Sequence, residues 1–233
     1  MKNKTIGVLG GMGPEASLNL YHKMIRYSQT KYGAVQDSDY PPIHIYSLPM
    51  EGFDETGIKD EELVKKQLIE GVRVLEKAGS DLIIIACNTV HIFYKEMQDA
   101  VKIPIFNIVE KTFEKVKEHK YGKVGILGSE STINLKLYEN YFNNKGIETI
   151  SPDKEQQKVL NSIIERVMGA HQGTEDIILL KDIIRDFVKK GAEAIVLGCT
   201  ELPLAINQTH TDIKLFDTIE IIVHSAVDYS LNG

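Results

Sequence analysis

Short, continuously apolar runs alternate along this chain with longer stretches whose apolar residues return every three or four positions. That is the pattern of strands alternating with helices in an α/β fold. Thr5-Ile6-Gly7-Val8-Leu9-Gly10 reads as a first strand and Gly11-Met12-Gly13-Pro14 as the turn that ends it. A helical period then runs from about Glu15 to Tyr32. A second strand is predicted near Ile43 to Ser47, followed by a loop holding Pro49, Gly52 and Gly57. Val64, Leu68, Val72 and Leu75 fall on one helix face, and Gly79 is suited to end that helix. Leu82-Ile83-Ile84-Ile85-Ala86 has no polar position, as expected of a parallel strand covered on both faces. Cys87 follows it directly.

The second half repeats the plan. Val124-Gly125-Ile126-Leu127-Gly128 is a strand-and-turn run that echoes Val8-Leu9-Gly10, and helices are predicted near Ile133 to Lys145, Gln156 to Met168 and Glu175 to Lys190. Ala194-Ile195-Val196-Leu197-Gly198 is another unbroken apolar strand, with Cys199 after it. The glycine turns lie 118 residues apart and the cysteines 112. Two echoes at similar offsets predict two pseudo-symmetric α/β domains with parallel sheets, 1–107 and 108–216. The last helix, 217–233, is expected to return to the first.

Composition narrows the function. Among 233 residues, 27 Lys+Arg stand against 33 Asp+Glu, a net charge of −6. This argues against a nucleic-acid binder, which needs a basic face to displace counterions. No apolar run approaches the roughly 20 residues that span a bilayer, and no leader-like segment precedes the first strand. The two cysteines form no CxxC pair, so neither a zinc site nor a disulfide scaffold is indicated. A soluble, cytoplasmic protein is expected.

Gly11-Met12-Gly13-Pro14-Glu15-Ala16 fits the G-x-G-x-x-A dinucleotide pattern, but the second strand ends Tyr46-Ser47-Leu48 without the acid that would hold a ribose. Pro14 also removes a backbone N–H from the cradle. What survives is either a helix start open to a small anion or a plain tight turn. Cys87 and Cys199 carry more. Each ends an apolar strand, at the sheet edge where ligands bind in open α/β folds. A helix start there is expected to lower the thiol pKa. One such cysteine is usually a buried core residue; two at equivalent places are harder to dismiss. Cys87 and His91 form a weaker nucleophile–base candidate, since they meet only if both are helical. His22, His44, His119, His171, His210 and His224 show no metal-ligand spacing. Lys111 to Lys117 reads as a solvated helix face. Two thiols on opposite sides of one carbon could remove a proton from one face and return one to the other, which inverts a stereocentre.

At these residues the chain resembles the cofactor-independent aspartate/glutamate racemase superfamily, and within it the aspartate racemase branch. The carrying motifs are Leu9-Gly10-Gly11-Met12-Gly13-Pro14, Cys87-Asn88-Thr89-x-His91, Leu127-Gly128-Ser129-x-x-Thr132 and Gly198-Cys199-Thr200-Glu201. The resemblance spans essentially the whole chain. It implies a site in the cleft between two α/β domains, no pyridoxal phosphate or other cofactor, usually a homodimer, and Cys87 and Cys199 as the acid/base pair. It assigns Asn88, Thr89, Ser129, Thr132, Thr200 and Glu201 to the substrate-binding set, with Met12 and Ser47 lining the same cleft. One feature departs from the branch: where a Lys-x-Gly step is common, this chain reads Val167-Met168-Gly169. A distal substrate carboxylate would then fall to Arg166, His171, Gln172 or backbone N–H groups. The reading is an amino-acid racemase with aspartate as the first expected substrate. A cysteine-dependent isomerase of a small dicarboxylic acid and a non-catalytic small-acid binding protein are the alternatives.

Overall fold

A computed structural model describes residues 3–54 and 57–232. Met1, Lys2, Glu55, Thr56 and Gly233, which include both ends of the predicted first unit with its returning helix, lie outside the described residues. In chain order the first half holds β1 (Ile6–Gly10), α1 (Pro14–Tyr32), β2 (Ile43–Ser47), β3 (Phe53–Asp54), β4 (Gly57–Ile58), α2 (Glu61–Lys77), β5 (Leu82–Ile85), α3 (Tyr94–Asp99) and α4 (Ile108–Glu118). The second half holds β6 (Lys123–Leu127), α5 (Glu130–Asn134), α6 (Leu137–Asn143), β7 (Glu148–Ile150), α7 (Lys154–Met168), α8 (Thr174–Lys189), β8 (Ala194–Leu197), α9 (Leu202–Ala205), β9 (Lys214–Asp217) and α10 (Thr218–Asn232).

The strands form two parallel sheets, ordered β2-β1-β5 and β7-β6-β8-β9, while β3 and β4 make a small antiparallel hairpin. Side-chain alternation along the strands sorts the core into layers. Ile6, Val8, Leu82 and Ile84 of the first sheet and Val124, Ile126, Ala194 and Val196 of the second share one apolar cluster with buried faces of α1, α4, α6 and α10. On the other faces, Leu9, Ile83 and Ile85 meet Val64, Leu68, Val72 and Leu75 of α2. Leu127, Ile195 and Leu197 likewise meet α7 and α8. Helix starts follow from local sequence. Asp60 accepts from the Leu63 N–H to begin α2, and Asn107 accepts from the Val109 and Glu110 N–H groups to begin α4.

Two expectations need correction. The predicted helix from Ile133 to Lys145 is two helices, because Lys136 sits at φ 50 and a left-handed residue cannot continue an α-helix. The loop after β2 contains the β3–β4 hairpin, which crosses toward α5: the Ser131 hydroxyl donates to the Asp54 carbonyl. No helix among the described residues is long and apolar enough to cross a membrane.

Candidate active site

The carboxyl ends of β1, β5, β6 and β8 open on one cavity of about 210 Å³. Its lining joins both sheets: Gly11, Met12 and Gly13 after β1, Cys87, Asn88 and Thr89 after β5, Ser129 and Thr132 after β6, and Gly198, Cys199, Thr200 and Glu201 after β8. Gly11 is needed as glycine. Its φ is +93, and a Cβ there would lie 2.3 Å from the Leu48 carbonyl oxygen. The turn is held by Ser17, whose hydroxyl accepts from the Gly11 N–H and donates to the Gly13 carbonyl, both at 2.9 Å.

Three hydroxyls from the two halves form a closed cluster. Thr89 Oγ1 lies 2.8 Å from Thr132 Oγ1 and 3.3 Å from Ser129 Oγ, and the latter two are 3.1 Å apart. Each oxygen keeps acceptor or donor capacity beyond these bonds, so the cluster suits a carboxylate or an ammonium group. Asn88 also lines the cavity, and its side-chain amide is engaged at both ends. Its Oδ1 accepts from the Tyr138 hydroxyl at 2.5 Å, and its Nδ2 donates to Thr218 Oγ1 at 3.3 Å. Thr218 in turn donates to the Leu197 carbonyl at 2.9 Å. The Asn88 side chain is therefore a link in a buried chain running from one thiol-bearing strand end to the other.

Both thiols are buried, Cys87 6% and Cys199 7% exposed, and neither is in a disulfide. Their acidity corrects the expectation of lowered pKa values. Burial pushes the Cys87 thiol up to about 12, against weaker help from the backbone N–H groups of Val90 and Thr89. Cys199 is raised well above its ordinary value by burial and by Glu201. The Cys199 S–H donates to Glu201 Oε2 at 3.0 Å, and the Thr200 hydroxyl donates to the same oxygen at 2.9 Å. The physical reason is local. A single 3₁₀ stretch, Thr89–Phe93, follows Cys87 and a four-residue helix follows Cys199, too short to offset desolvation.

His91 does not pair with the Cys87 thiol. Its Nδ1 lies 2.9 Å from the Cys87 carbonyl oxygen, so Nδ1 carries the proton and the ring braces the backbone. Burial pushes its pKa down to about 4 and keeps it neutral. Ser47 is outside the cavity: it faces away from buried neighbours on the edge strand β2, exposed, in register with Gly10. Arg166, His171 and Gln172 do not line the cavity either. The Arg166 guanidinium is turned onto Asp176, with Nε donating to Oδ1 at 2.9 Å. Sequence reasoning missed the opposite wall, formed by Met50, Phe53 and Asp54 around β3 and by Ile164 and Met168 of α7. Nothing in a helical Met or Ile distinguishes a cavity wall from a core position. Among the described residues, no group of three or more His, Cys, Asp or Glu side chains could hold a metal ion.

Two parallel sheets with paired thiols at their facing carboxyl edges define a class of α/β protein built around a shared inter-sheet site. The chain belongs to the Asp/Glu/Hydantoin racemase family, whose model matches residues 9–226. It is 33% identical to the broad specificity amino-acid racemase RacX of Bacillus subtilis, over 95% of this chain and 96% of that protein. Its fold matches an aspartate racemase homologue from Pyrococcus horikoshii with a TM-score of 0.82 and 32% identity, covering 97% of this chain and 99% of the other. The aspartate racemase of Picrophilus torridus gives 0.81 and 26%, covering 97% and 94%.

Proposed function

We propose that this member of an amino-acid racemase family inverts Cα of its substrate with two thiols, Cys87 and Cys199, and needs no cofactor for the proton transfers. The observation that carries the proposal is that both sulfurs belong to the lining of one cavity while coming from strand ends of different sheets. A Cα held between them presents one face to each.

The free site keeps both thiols protonated, which is the resting state that burial dictates. The substrate brings its own ammonium group, and a positive charge next to a thiolate in a low-dielectric cavity stabilises it strongly. In the reaction, one thiolate takes the Cα proton and the C–H electron pair spreads into the α-carboxylate, held by the Thr89, Ser129 and Thr132 hydroxyls. The opposite S–H gives its proton to the other face. One thiol has become thiolate and the other thiolate has become thiol, so the reverse direction uses the same site with roles exchanged. Glu201 stands ready to accept the Cys199 proton through the existing 3.0 Å contact, and Thr200 orients that carboxylate. The unit division at 107/108, with α10 returning to α1, is part of this reading and is supported by the two separate sheets.

Aspartate is the substrate that sequence analysis puts first, and the relatives named above divide between aspartate and broad specificity. The feature they share is the α-amino-acid head that the hydroxyls and thiols would hold. The test is chiral chromatography in D₂O from pure L-substrate. Early product should carry deuterium at Cα while recovered substrate stays protiated. Cys87→Ser and Cys199→Ser should each abolish racemisation. Equal early labelling of both pools would contradict a division of labour between the two thiols.

A further inference from the structure

The lining combines two chemically distinct sets of residues. The polar set is the two thiols, the three clustered hydroxyls, Thr200, Glu201 and Asp54. The apolar set is Met12, Met50, Phe53, Ile164 and Met168, of which the last four share the opposite wall with Asp54. If Cα lies between the sulfurs and its carboxylate meets the hydroxyls, the substrate side chain has that largely apolar wall left to it. Apart from the thiols, the ionisable side chains in the lining among the described residues are Asp54 and Glu201, both acids. Among the described residues, no Lys, Arg or His lines the cavity.

Each nearby cation already holds a carboxylate of the protein. Arg166 is bonded to the buried Asp176 carboxylate and braces the α7–α8 turn. Lys59 lies 3.7 Å from Asp54 Oδ1, outside the lining. A second carboxylate on the substrate would therefore enter a largely apolar wall beside Glu201 and an Asp54 already paired with Lys59, with no cation of its own in the described lining. A charge removed from water without a partner is costly, whereas an apolar stem gains from the same surroundings. We propose, resting on the racemase reading above, that this site takes amino acids with apolar-stemmed, non-acidic side chains and discriminates against aspartate and glutamate. The thioether walls of Met12, Met50 and Met168 add latitude, because unbranched methionines adapt to differing shapes.

The experiment measures kcat/KM for L-Met, L-Leu, L-Lys, L-Asp and L-Glu by chiral chromatography on the purified full chain. The expected result is that Met, Leu or Lys exceeds both acidic substrates by at least about tenfold, the order of discrimination that pocket contacts supply. Met168→Lys, a change at a half-exposed helix end, should shift the Asp/Met ratio toward Asp by at least about tenfold, and Met168→Gln should not. An acidic substrate that equals or leads the others overturns the proposal. If that lead vanishes in Lys59→Met, the distal contact is Lys59. Absence of racemisation with every amino acid would instead count against the two-thiol reading. Thermal-shift titration of the same protein then decides the selectivity separately: stronger stabilisation by L-Met than by L-Asp supports it, and the reverse overturns it.

Discussion

Tyr138→Phe removes a single oxygen from a fully buried residue and tests what ties the two thiol-bearing strand ends together. In the intact protein the hydrogens run in one sense: Tyr138 O–H to Asn88 Oδ1, Asn88 N–H to Thr218 Oγ1, Thr218 O–H to the Leu197 carbonyl. Asn88 is next to Cys87, and Leu197 is two residues before Cys199. The chain therefore links the two thiol-bearing strand ends through α6 and the start of α10. Loss of the hydroxyl leaves Asn88 Oδ1 buried without that partner, which costs about 1–3 kcal/mol. For a chain of this length each kcal/mol lowers Tm by about 2–4 °C, so Tyr138→Phe should melt about 2–12 °C below the parent.

Calorimetry gives the stability arm, and steady-state racemisation gives the functional arm. Because the chain begins beside Cys87 and ends two residues before Cys199, kcat should fall in both directions by a similar factor while KM changes little. Thr218→Val breaks the same chain one link further on. The double variant should therefore lose less stability than the two single losses together, as residues of one network do. A Tyr138→Phe protein melting within 1 °C of the parent (well inside the about 2–12 °C loss expected) would refute the energetic argument. A clear Tm loss with unchanged kcat would show that the chain supports the fold without positioning the thiols.

Three further outcomes are expected. Iodoacetamide modification of Cys87 in the free protein should quicken about tenfold per pH unit from pH 7 to 9 without levelling off, since its thiol is pushed up to about 12; a plateau below pH 8 would contradict the burial argument. Glu201→Gln removes the negative charge against Cys199, so its thiol becomes more acidic and mass spectrometry should find faster alkylation at Cys199 than in the parent, with a slower rate counting against the assigned contact. His91 binds its proton less readily folded than unfolded, its pKa falling from 6.5 to about 4. Stability should therefore drop as pH falls through that window, by about 3 kcal/mol at about 1.4 kcal/mol per pH unit. In denaturant melts His91→Gln should flatten that slope, and an unchanged slope would show that another group governs it.

The apolar strands announced themselves because parallel strands covered on both faces admit few polar positions, and the helices of α2, α7 and α8 because one face of each is buried. The elements that escaped notice lack that signal. β7 has three residues, none fully buried, and β3 and β4 have two each. The break at Lys136 is a backbone event that no apolar period encodes. The candidate site divides in the same way. Cys87, Cys199 and the hydroxyls after β6 were legible because each closely follows the end of a strand rich in apolar residues. Ser47 was misplaced because, as an edge-strand residue, it has two faces to choose between, and Tyr46 takes the buried one.

The protonation state of the thiols was beyond reach for a further reason. A motif reports which backbone segment precedes a thiol, and from that a helix-start effect was inferred. The thiol's free energy of ionisation depends on how much water the rest of the fold excludes and on where neighbouring carboxylates turn. Cys199 receives its largest perturbations from burial and from a Glu201 side chain that sequence places two residues away without giving its direction. The same non-local logic governs the cavity wall. Met50 and Met168 lie 118 positions apart and share one lining only because the β3 hairpin and the end of α7 converge. The strand-end residues of the candidate site are thus written in short motifs, while its opposite wall is written in contacts between distant segments. Relatives that share the motifs are accordingly free to differ in substrate.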